Sequence, residues 1–181
     1  DHIKSRTTAL ARSEARLAEA QRIALIGNWE WDVVKNEVSW SYEAYHIFGL
    51  TQENFVSPFE TFLNHVHPDD REFAKKTFDD ALYHKKPLDI DHRIILKDAS
   101  VRTVHEKAVV ISDSKGRAVQ MVGTVQDITE RKRAEEEVVL LKTLILSISE
   151  SKDLHDALVV TLEKVCSATG WIYGEAWMPD P

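Results

Sequence analysis

The sequence predicts an α+β domain with a five-stranded antiparallel sheet, short helices on one face, and longer flanking helices at both ends. Segments with alternating apolar and polar residues occur as a pair near the start and as a group of three later, with helical segments between them. Tight turn sequences join the strands within each group, and hairpin connections produce antiparallel neighbours. Strands and helices segregated in this way are typical of α+β folds.

Length and composition limit the class of protein. The chain has 181 residues, enough for about one domain with flanks, and 43% of them are hydrophobic, which is sufficient for a packed core. The net charge of −7 argues against general binding to nucleic acid or anionic membranes. The one cysteine, Cys166, excludes an intramolecular disulfide and fits a reducing, cytoplasmic setting.

The ends of the chain suggest a piece of a longer protein, because it starts at Asp1 without methionine and stops at Pro181 after a strand-like run. No apolar run approaches the roughly 18 residues of a membrane span, and no signal peptide is visible. We therefore expect a cytoplasmic segment without membrane contact.

The first predicted element is a helix over residues 5–26, which are rich in strong helix formers. Leu10, Leu17 and Ala24 recur at heptad spacing, which fits either a dimer helix or a solvated helix packed on its own domain. Gly27 is expected to end this helix. A hairpin of residues 28–34 and 38–40 follows, and Asn36 suits a left-handed turn conformation.

Three helices are predicted between the strand groups. Ser41 can cap the first helix, and Ser57–Glu60 forms a capping box at the start of the second. The third runs from Asp69 to His84, with acidic residues at its N-terminus and basic residues at its C-terminus, as the helix dipole favours. Its inward stripe is expected to be Phe73, Ala74, Phe78, Ala81 and Leu82.

The remaining strands are predicted over residues 90–96, 101–111 and 117–126, and a capped corner follows. Asp127 can accept backbone N–H groups where the last strand becomes a helix. Glu130 completes a capping-box pattern with it, and Thr129 is an alternative cap. Arg131 is a candidate ion-pair partner of Asp127.

The helix after this corner carries apolar residues at steps of four and three, as in a coiled coil. This exit-helix stripe consists of Ala134, Val138, Leu141, Ile145 and Ile148. We favour a parallel homodimer through the stripe, because such a stripe is otherwise hard to bury. The alternative is a helix packed against its own domain.

Five signatures, in the expected order, resemble a PAS domain of the type common in bacterial sensor kinases. They are Gly27–Asp32 with Trp40–Ser41 and Phe48–Leu50, Val66–Arg71, His92–Ile94, Val101–Arg102, and Met121–Glu136. The resemblance implies an N-terminal helix over residues 1–26, a PAS domain over 27–129 and a signalling helix over 130–149. It also implies that the corner of Asp127, Ile128 and Thr129 couples the sheet to the output helix.

The sequence departs from the PAS pattern at two places. The family usually carries Asp-Gly where this chain has Asp98–Ala99, which suggests a different corner geometry. It often carries an aromatic residue where this chain has Thr103, which alters the expected pocket wall. Residues 150–181 resemble the opening of a GAF domain, with a helix over 153–168 and the start of a strand over 170–177.

The PAS resemblance implies a space for a small molecule between the long helix and the sheet. The residues expected around it are Ile47, Phe62, Val66, Phe78, Leu82, Ile94 and Val125. Because protein cores are close-packed, the default is that these side chains fill the space. The cofactor is therefore left open. We favour the absence of a cofactor, with haem or flavin as the alternatives.

Both coloured cofactors face objections from the sequence. In light-sensing relatives a reactive cysteine lies in the helical region and a glutamine precedes the exit aspartate by two residues; here Cys166 lies outside the core and Val125 takes the glutamine's place. Haem requires an axial ligand, for which His84 and His92 are the candidates. His84 is expected instead to cap a helix end, and His92 to lie on the exposed face of a strand.

No catalytic motif is present, so we do not expect this segment to be an enzyme. His65 and His67 would not share a helix face, so no metal site is expected there. Three functions compete: a PAS sensor and dimerisation module of a GAF-containing histidine kinase, a haem- or flavin-loaded sensor of redox or gas, and a ligand-free relay. A diguanylate cyclase parent is a further alternative.

Overall fold

The computed structural model describes residues 2–51 and 59–177, and the predicted α+β fold with a five-stranded antiparallel sheet is confirmed. The chain divides into two units, Asp1–Thr129 and Glu130–Pro181. The elements of the first unit are α1 (His2–Ala24), β1 (Ile26–Asp32), β2 (Glu37–Trp40), α2 (Tyr42–Ile47), α3 (Phe59–His65), α4 (Pro68–His84), β3 (Leu88–Ile95), β4 (Val101–Ser112) and β5 (Ala118–Asp127). Two further helices follow, α5 (Thr129–Glu150) and α6 (Leu154–Thr169).

The sheet has the strand order β2-β1-β5-β4-β3, and every pairing is antiparallel. Trp29 and Trp31 on β1 point into the core as the alternation predicts. Trp29 lies opposite Gly123 on β5, where a Cβ would come within 2.5 Å of the indole ring. Gly123 thus leaves the space in which the Trp29 ring lies over the central strands.

The junction between α1 and β1 differs from the prediction. The helix ends at Ala24 and Leu25 turns the chain with a φ of 52°, so Gly27 lies inside β1 rather than after the helix. A Cβ on Gly27 would approach the Ala44 backbone to 2.5 Å. Gly27 therefore serves close packing of α2 on β1.

The hairpin and the first helix cap agree with the sequence. Asn36 has a φ of 56°, and its side chain accepts a hydrogen bond from Trp31 Nε1 at 3.0 Å. Ser41 caps α2 by accepting from the Ala44 N–H, and it also accepts from the Asn28 N–H at 2.9 Å. This hydroxyl therefore fixes α2 to β1.

The start of α3 cannot be compared with its predicted capping box, because Ser57 and Pro58 lie outside the described residues. In α4 the inward stripe is correct except at Phe73, which is 55% exposed. Phe73 precedes the buried Ala74 on the helix, so its side chain leaves the face that packs on the sheet. His67 caps α4, accepting from the Asp69 N–H at 3.4 Å.

Asp70 in the first turn of α4 joins this helix to β3. Its carboxylate accepts from the Arg93 backbone N–H at 2.8 Å and from the Arg93 guanidinium at 2.6 and 3.0 Å. The Arg93 guanidinium holds the pKa of Asp70 down at about 2. The N-terminal end of the long helix is thereby fixed to the sheet by a bidentate, charge-assisted contact.

The corner between β3 and β4 places Ala99 in the left-handed region, with a φ of 64°. Ser100 closes the turn, because its N–H and hydroxyl both donate to Asp98 Oδ1. The alanine thus adopts a conformation that a glycine would take at lower cost.

In the second unit, α6 begins at an Asp153 cap and ends at Gly170, which has a φ of 73°. The strand expected over residues 170–177 is not formed. Trp171, Ile172 and Trp177 are 65%, 102% and 85% exposed, and a lone strand without a partner to pair with is not stable. Across the described ranges, no helix is both long and apolar enough to cross a bilayer.

Candidate functional site

A cavity of about 20 Å³ lies in the core of the first unit, between its helices and the sheet. This volume is about that of one water molecule. The cavity is lined by Trp29, Trp31, Val38, Trp40, Phe48, Phe59, Phe62, Phe78, Glu106 and Val125. The wall is therefore almost wholly aromatic, with a single carboxylate among its described residues.

The aromatic wall is held by ring contacts between different elements. Trp31 of β1 stacks on Phe59 of α3 at 4.6 Å between centroids, and Phe59 also contacts Phe78 of α4 at 5.0 Å. On the other side, Trp40 meets Phe48 edge-on at 4.5 Å. Such contacts contribute about 0.5–1.5 kcal/mol each beyond burial, so they define the shape of the cavity.

All seven residues expected around the space are buried, but only some of them reach the cavity. Phe62, Phe78 and Val125 line it. The other four fill the surrounding core, with exposures of 7% or less: Ile47, Val66, Leu82 and Ile94.

Glu106 and His92 form a buried polar pair on adjacent strands. They are 1% and 2% exposed, and His92 Nε2 lies 3.5 Å from Glu106 Oε1. The prediction that His92 lies on an exposed strand face is wrong, because the side chains of β3 that alternate with Asp89 and Asp91 point inward. Its ring meets Phe62 edge-on at 5.9 Å, which places it between the sheet and α3.

The electrostatics of this pair favour a charged histidine. Burial alone would lower the pKa of His92, but the neighbouring Glu106 carboxylate outweighs burial and the pKa is raised above its usual value. Glu106 Oε2 has no hydrogen-bond partner within the part of the chain that the structure describes. An unsatisfied buried carboxylate oxygen is costly, and Glu106 is the residue that brings such an oxygen to the lining of the cavity.

Neither candidate haem ligand fits the cavity. The His84 side chain is 66% exposed in the last turn of α4, with Nδ1 3.2 Å from Asp80 Oδ1, and the residue that caps the helix is Lys85 rather than His84. The His92 Nε2 faces Glu106 rather than the aromatic wall. A space of about 20 Å³ is far below the ≈ 300 Å³ or more of ordinary cofactor pockets. The residues present fit neither haem nor flavin.

The exit corner, which consists of Asp127, Ile128 and Thr129 between β5 and α5, is built from short hydrogen bonds. Asp127 Oδ1 accepts from the Thr129 N–H at 2.9 Å and from the Thr129 hydroxyl at 2.6 Å. The same hydroxyl accepts from the Thr103 N–H at 3.0 Å, and the Ile128 N–H donates to Thr103 O at 2.9 Å. Ile128 is 3% exposed, so Ile128 and Thr129, the last residues of the first unit, are tied to β4 and the core.

The expected partners of Asp127 are replaced by others. Arg131 pairs with Glu135 at 3.7 Å, and Glu130 pairs with Arg133 at 2.8 Å, so neither reaches back to Asp127. The Asp127 N–H, which a capping box would join to the Glu130 side chain, instead donates at 3.2 Å to the carbonyl of Leu25, the residue before β1.

Arg102 is the cation that contacts the exit corner. Its Nε lies 3.6 Å from Asp127 Oδ2, and its Nη1 donates to Ile47 O at 2.8 Å and to His46 O at 3.2 Å. One guanidinium thus joins the C-terminal end of α2 to the corner. Phe48, the residue after α2, lines the cavity.

The sequence analysis missed Glu106 and the role of Arg102. A signal for Glu106 was present: it shares the inward parity of Val104 on β4, and a carboxylate at an inward position is unusual. Nothing in the sequence pattern could identify Arg102 as a link, because its acceptors lie 55 and 56 residues earlier in the chain.

The exit-helix stripe is exposed within its own unit. The exposures of Val138, Leu141, Ile145 and Ile148 are 49%, 50%, 63% and 47%.

Known proteins resemble this chain over most of its length. A family model described as the PAS fold matches residues 37–125. The chain is 27% identical over 122 residues to a probable diguanylate cyclase, DgcE, of Escherichia coli (strain K12), covering 67% of this chain and 11% of that protein. It is 30% identical over 132 residues to a blue-light-activated histidine kinase of Brucella ovis, covering 73% of this chain and 26% of that protein.

Solved structures show the same fold. A sensory box histidine kinase/response regulator from Burkholderia thailandensis E264 aligns with a TM-score of 0.61 and 23% identity, covering 72% of this chain and 97% of that one. The chain spans only about a tenth to a quarter of the two curated relatives named above. Residues 37–125 form a PAS domain, and similar segments occur in a blue-light-activated histidine kinase and a probable diguanylate cyclase.

Proposed function

We propose that this chain is the cytoplasmic sensory and dimerisation module of a multidomain bacterial signal-transduction protein. The parent protein that we favour is a sensor histidine kinase. The observation that carries the proposal is the bridge of Arg102 between α2 and Asp127. It connects the wall of the cavity to the residues from which the output helix starts.

The proposed relay has three steps. A change at the cavity displaces Phe48, which directly follows α2. The carbonyl groups at the end of α2 then move relative to the Arg102 guanidinium, which contacts Asp127 Oδ2. Because Asp127 Oδ1 caps Thr129, rotation of this carboxylate changes the start of α5.

Dimerisation through α5 is the second part of the proposal. The stripe residues are about half exposed, and apolar side chains at heptad spacing gain free energy when a second copy buries them. A parallel pair of α5 helices would carry a movement at Thr129 along both chains, toward a GAF domain and an output domain. The resemblance of residues 150–181 to the opening of a GAF domain supports this order.

A diguanylate cyclase parent is the second candidate, favoured by the 27% identity to the probable cyclase of Escherichia coli. In that case the same relay would feed a different output. A photosensory role, which the blue-light-activated kinase suggests, has less support because the aromatic wall leaves no room for a flavin.

The proposal is tested in the full-length parent protein. Autophosphorylation from ATP would support the kinase, and synthesis of cyclic diguanylate from GTP would support the alternative. The absence of both activities would contradict both candidates. Arg102→Gln should change the basal output, whereas Arg117→Gln should not. Arg117 is a matched control, because it makes its own ion pair with Asp113 at 2.8 Å in an exposed turn.

A further inference from the structure

Glu106 and Trp29 line the cavity, and each carries a buried polar atom without a hydrogen-bond partner among the described residues: Glu106 Oε2, an acceptor, and Trp29 Nε1, a donor. Of these two atoms only the carboxylate oxygen is charged, so it sets the electrostatic demand of the site. Glu106 is 1% exposed and lines the cavity, and its Oε2 receives no hydrogen bond from any described residue. A buried carboxylate oxygen of this kind costs free energy until a donor reaches it. The group that belongs beside Oε2 is therefore a hydrogen-bond donor.

The rest of the wall selects for positive charge. Trp31, Trp40 and Phe59 are among the rings that surround the space, and aromatic faces attract cations through their quadrupoles. Glu106 is the one charged residue among the described lining residues; its Oε1 lies 3.5 Å from His92 Nε2, which leaves Oε2 for a second cation. A carboxylate and several aromatic rings in one lining are suited to an ammonium group.

The size of the cavity limits the ligand. A volume of about 20 Å³ admits a group about as large as water, and an –NH₃⁺ head meets this limit. A quaternary ammonium group, with four methyl groups around its nitrogen, does not. The donors of a primary ammonium also match the free Oε2, whereas a quaternary ammonium has no N–H to donate.

We propose that the cavity binds the head group of a small primary ammonium cation, with Glu106 as the acceptor and the aromatic rings as the cage. This inference rests on the proposed sensory role, for which it names the ligand class. Binding would act on the relay directly, because Phe48 lies in the same wall and is adjacent to the α2 carbonyls that Arg102 contacts.

The test is a fluorescence titration of the 181-residue chain with methylammonium chloride. Trp29, Trp31 and Trp40 line the cavity and report on it, so the exposed Trp171 and Trp177 are replaced by Phe to remove their background. We expect a saturable change in emission. Potassium chloride at equal ionic strength and methanol, a neutral molecule of similar size, should produce none.

Two further arms test the chemistry. Glu106→Gln should weaken binding about tenfold or more, as loss of a charged hydrogen bond implies. The matched control is Glu43→Gln: Glu43 is another buried carboxylate, 5% exposed, that does not line the cavity, and it should leave binding unchanged. If Glu106→Gln fails to fold, the size of the ligand provides the test in the wild-type chain. Methylammonium should bind, and tetramethylammonium should not.

A response that is equal for methylammonium and potassium chloride, that is not saturable, or that survives Glu106→Gln would overturn the ammonium site. So would equal binding of tetramethylammonium. The relay is measured separately through the output of the Arg102 variant, so a failure of the ligand proposal leaves the proposed function standing, and the reverse also holds.

Discussion

Arg102 Nε lies 3.6 Å from Asp127 Oδ2, while Oδ1 of the same carboxylate accepts the Thr129 N–H at 2.9 Å. The two oxygens of one side chain therefore have different tasks. One contacts a cation fixed to the end of α2, and the other caps α5. A carboxylate held at both oxygens cannot rotate without changing one of the two contacts.

The coupling between Arg102 and Asp127 should be measurable as a free energy. Both side chains are about a third exposed or less, so we expect an interaction of about 0.5–1 kcal/mol in a double-mutant cycle of Arg102→Gln and Asp127→Asn. Urea unfolding of the four proteins measures it. Additive losses in the double variant would show that the two groups do not interact.

Asp70 should make stability sensitive to acid. The pKa of Asp70 lies at about 2 in the folded chain, below its ordinary value of 3.8, because the Arg93 guanidinium binds the carboxylate. The stabilisation is therefore present above about pH 4 and is lost as the pH falls toward 2. We expect about 1 kcal/mol at neutral pH, after allowance for solvent screening. Unfolding of the wild type and Asp70→Asn should differ at pH 7 and converge at pH 2; a constant difference would contradict this origin.

His92 should give stability the opposite pH dependence, with a loss as the pH rises. Burial would lower its pKa, but Glu106 on β4 outweighs burial, with a smaller contribution from Asp70 on α4, so the pKa is raised in the folded chain. The stabilisation is complete below the unfolded value near 6.5 and is lost as the pH rises through the folded pKa. Titration of the His92 imidazole by NMR should give a pKa above the ordinary histidine value of 6.5, and a lower value would refute the Glu106 contact.

Ala99→Gly should stabilise the chain, although most alanine-to-glycine changes destabilise. Ala99 has a φ of 64°, and relief of this left-handed strain exceeds the added entropy of the unfolded chain, leaving about 0.5–1 kcal/mol. Ala118→Gly, in β5, is the control and should lower the melting temperature. If both variants lose stability, the corner is unstrained.

The exit-helix stripe should determine oligomeric state. Val138→Asp or Leu141→Asp would place a charge in the proposed interface, and sedimentation should then show a monomer where the wild type is a dimer. Val139→Asp is the matched control, because Val139 is 62% exposed on the same helix but lies off the stripe. Dimers that persist in the stripe variants would exclude α5 as the interface.

The parts of the fold that depend on local pattern could be predicted. The alternation at Trp29 and Trp31, the Ser41 cap and the left-handed Asn36 all arise from residues close in sequence, and each was correct. The failures involve distant contacts. The sequence analysis expects His92 on an exposed strand face, but Glu106 on the neighbouring strand provides a buried partner that the sequence pattern does not reveal.

The candidate site was harder to predict than the fold, for the same reason. The core residues were recognised as buried, but their side chains reduce the space to about 20 Å³ through ring contacts between four different elements. Likewise, Arg131 is the nearest cation to Asp127 in sequence, whereas the cation that the structure places against Asp127, at 3.6 Å, is Arg102. Helix geometry directs Arg131 toward Glu135 instead.

Hydrogen exchange at the Thr129 amide is the most direct test of the link between α2 and the exit corner. If Arg102 holds the Asp127 carboxylate in its capping position, Arg102→Gln should speed exchange at Thr129 about fivefold or more, whereas Arg117→Gln should leave it unchanged. Unchanged exchange in the Arg102 variant, with the fold intact by circular dichroism, would contradict the proposed relay.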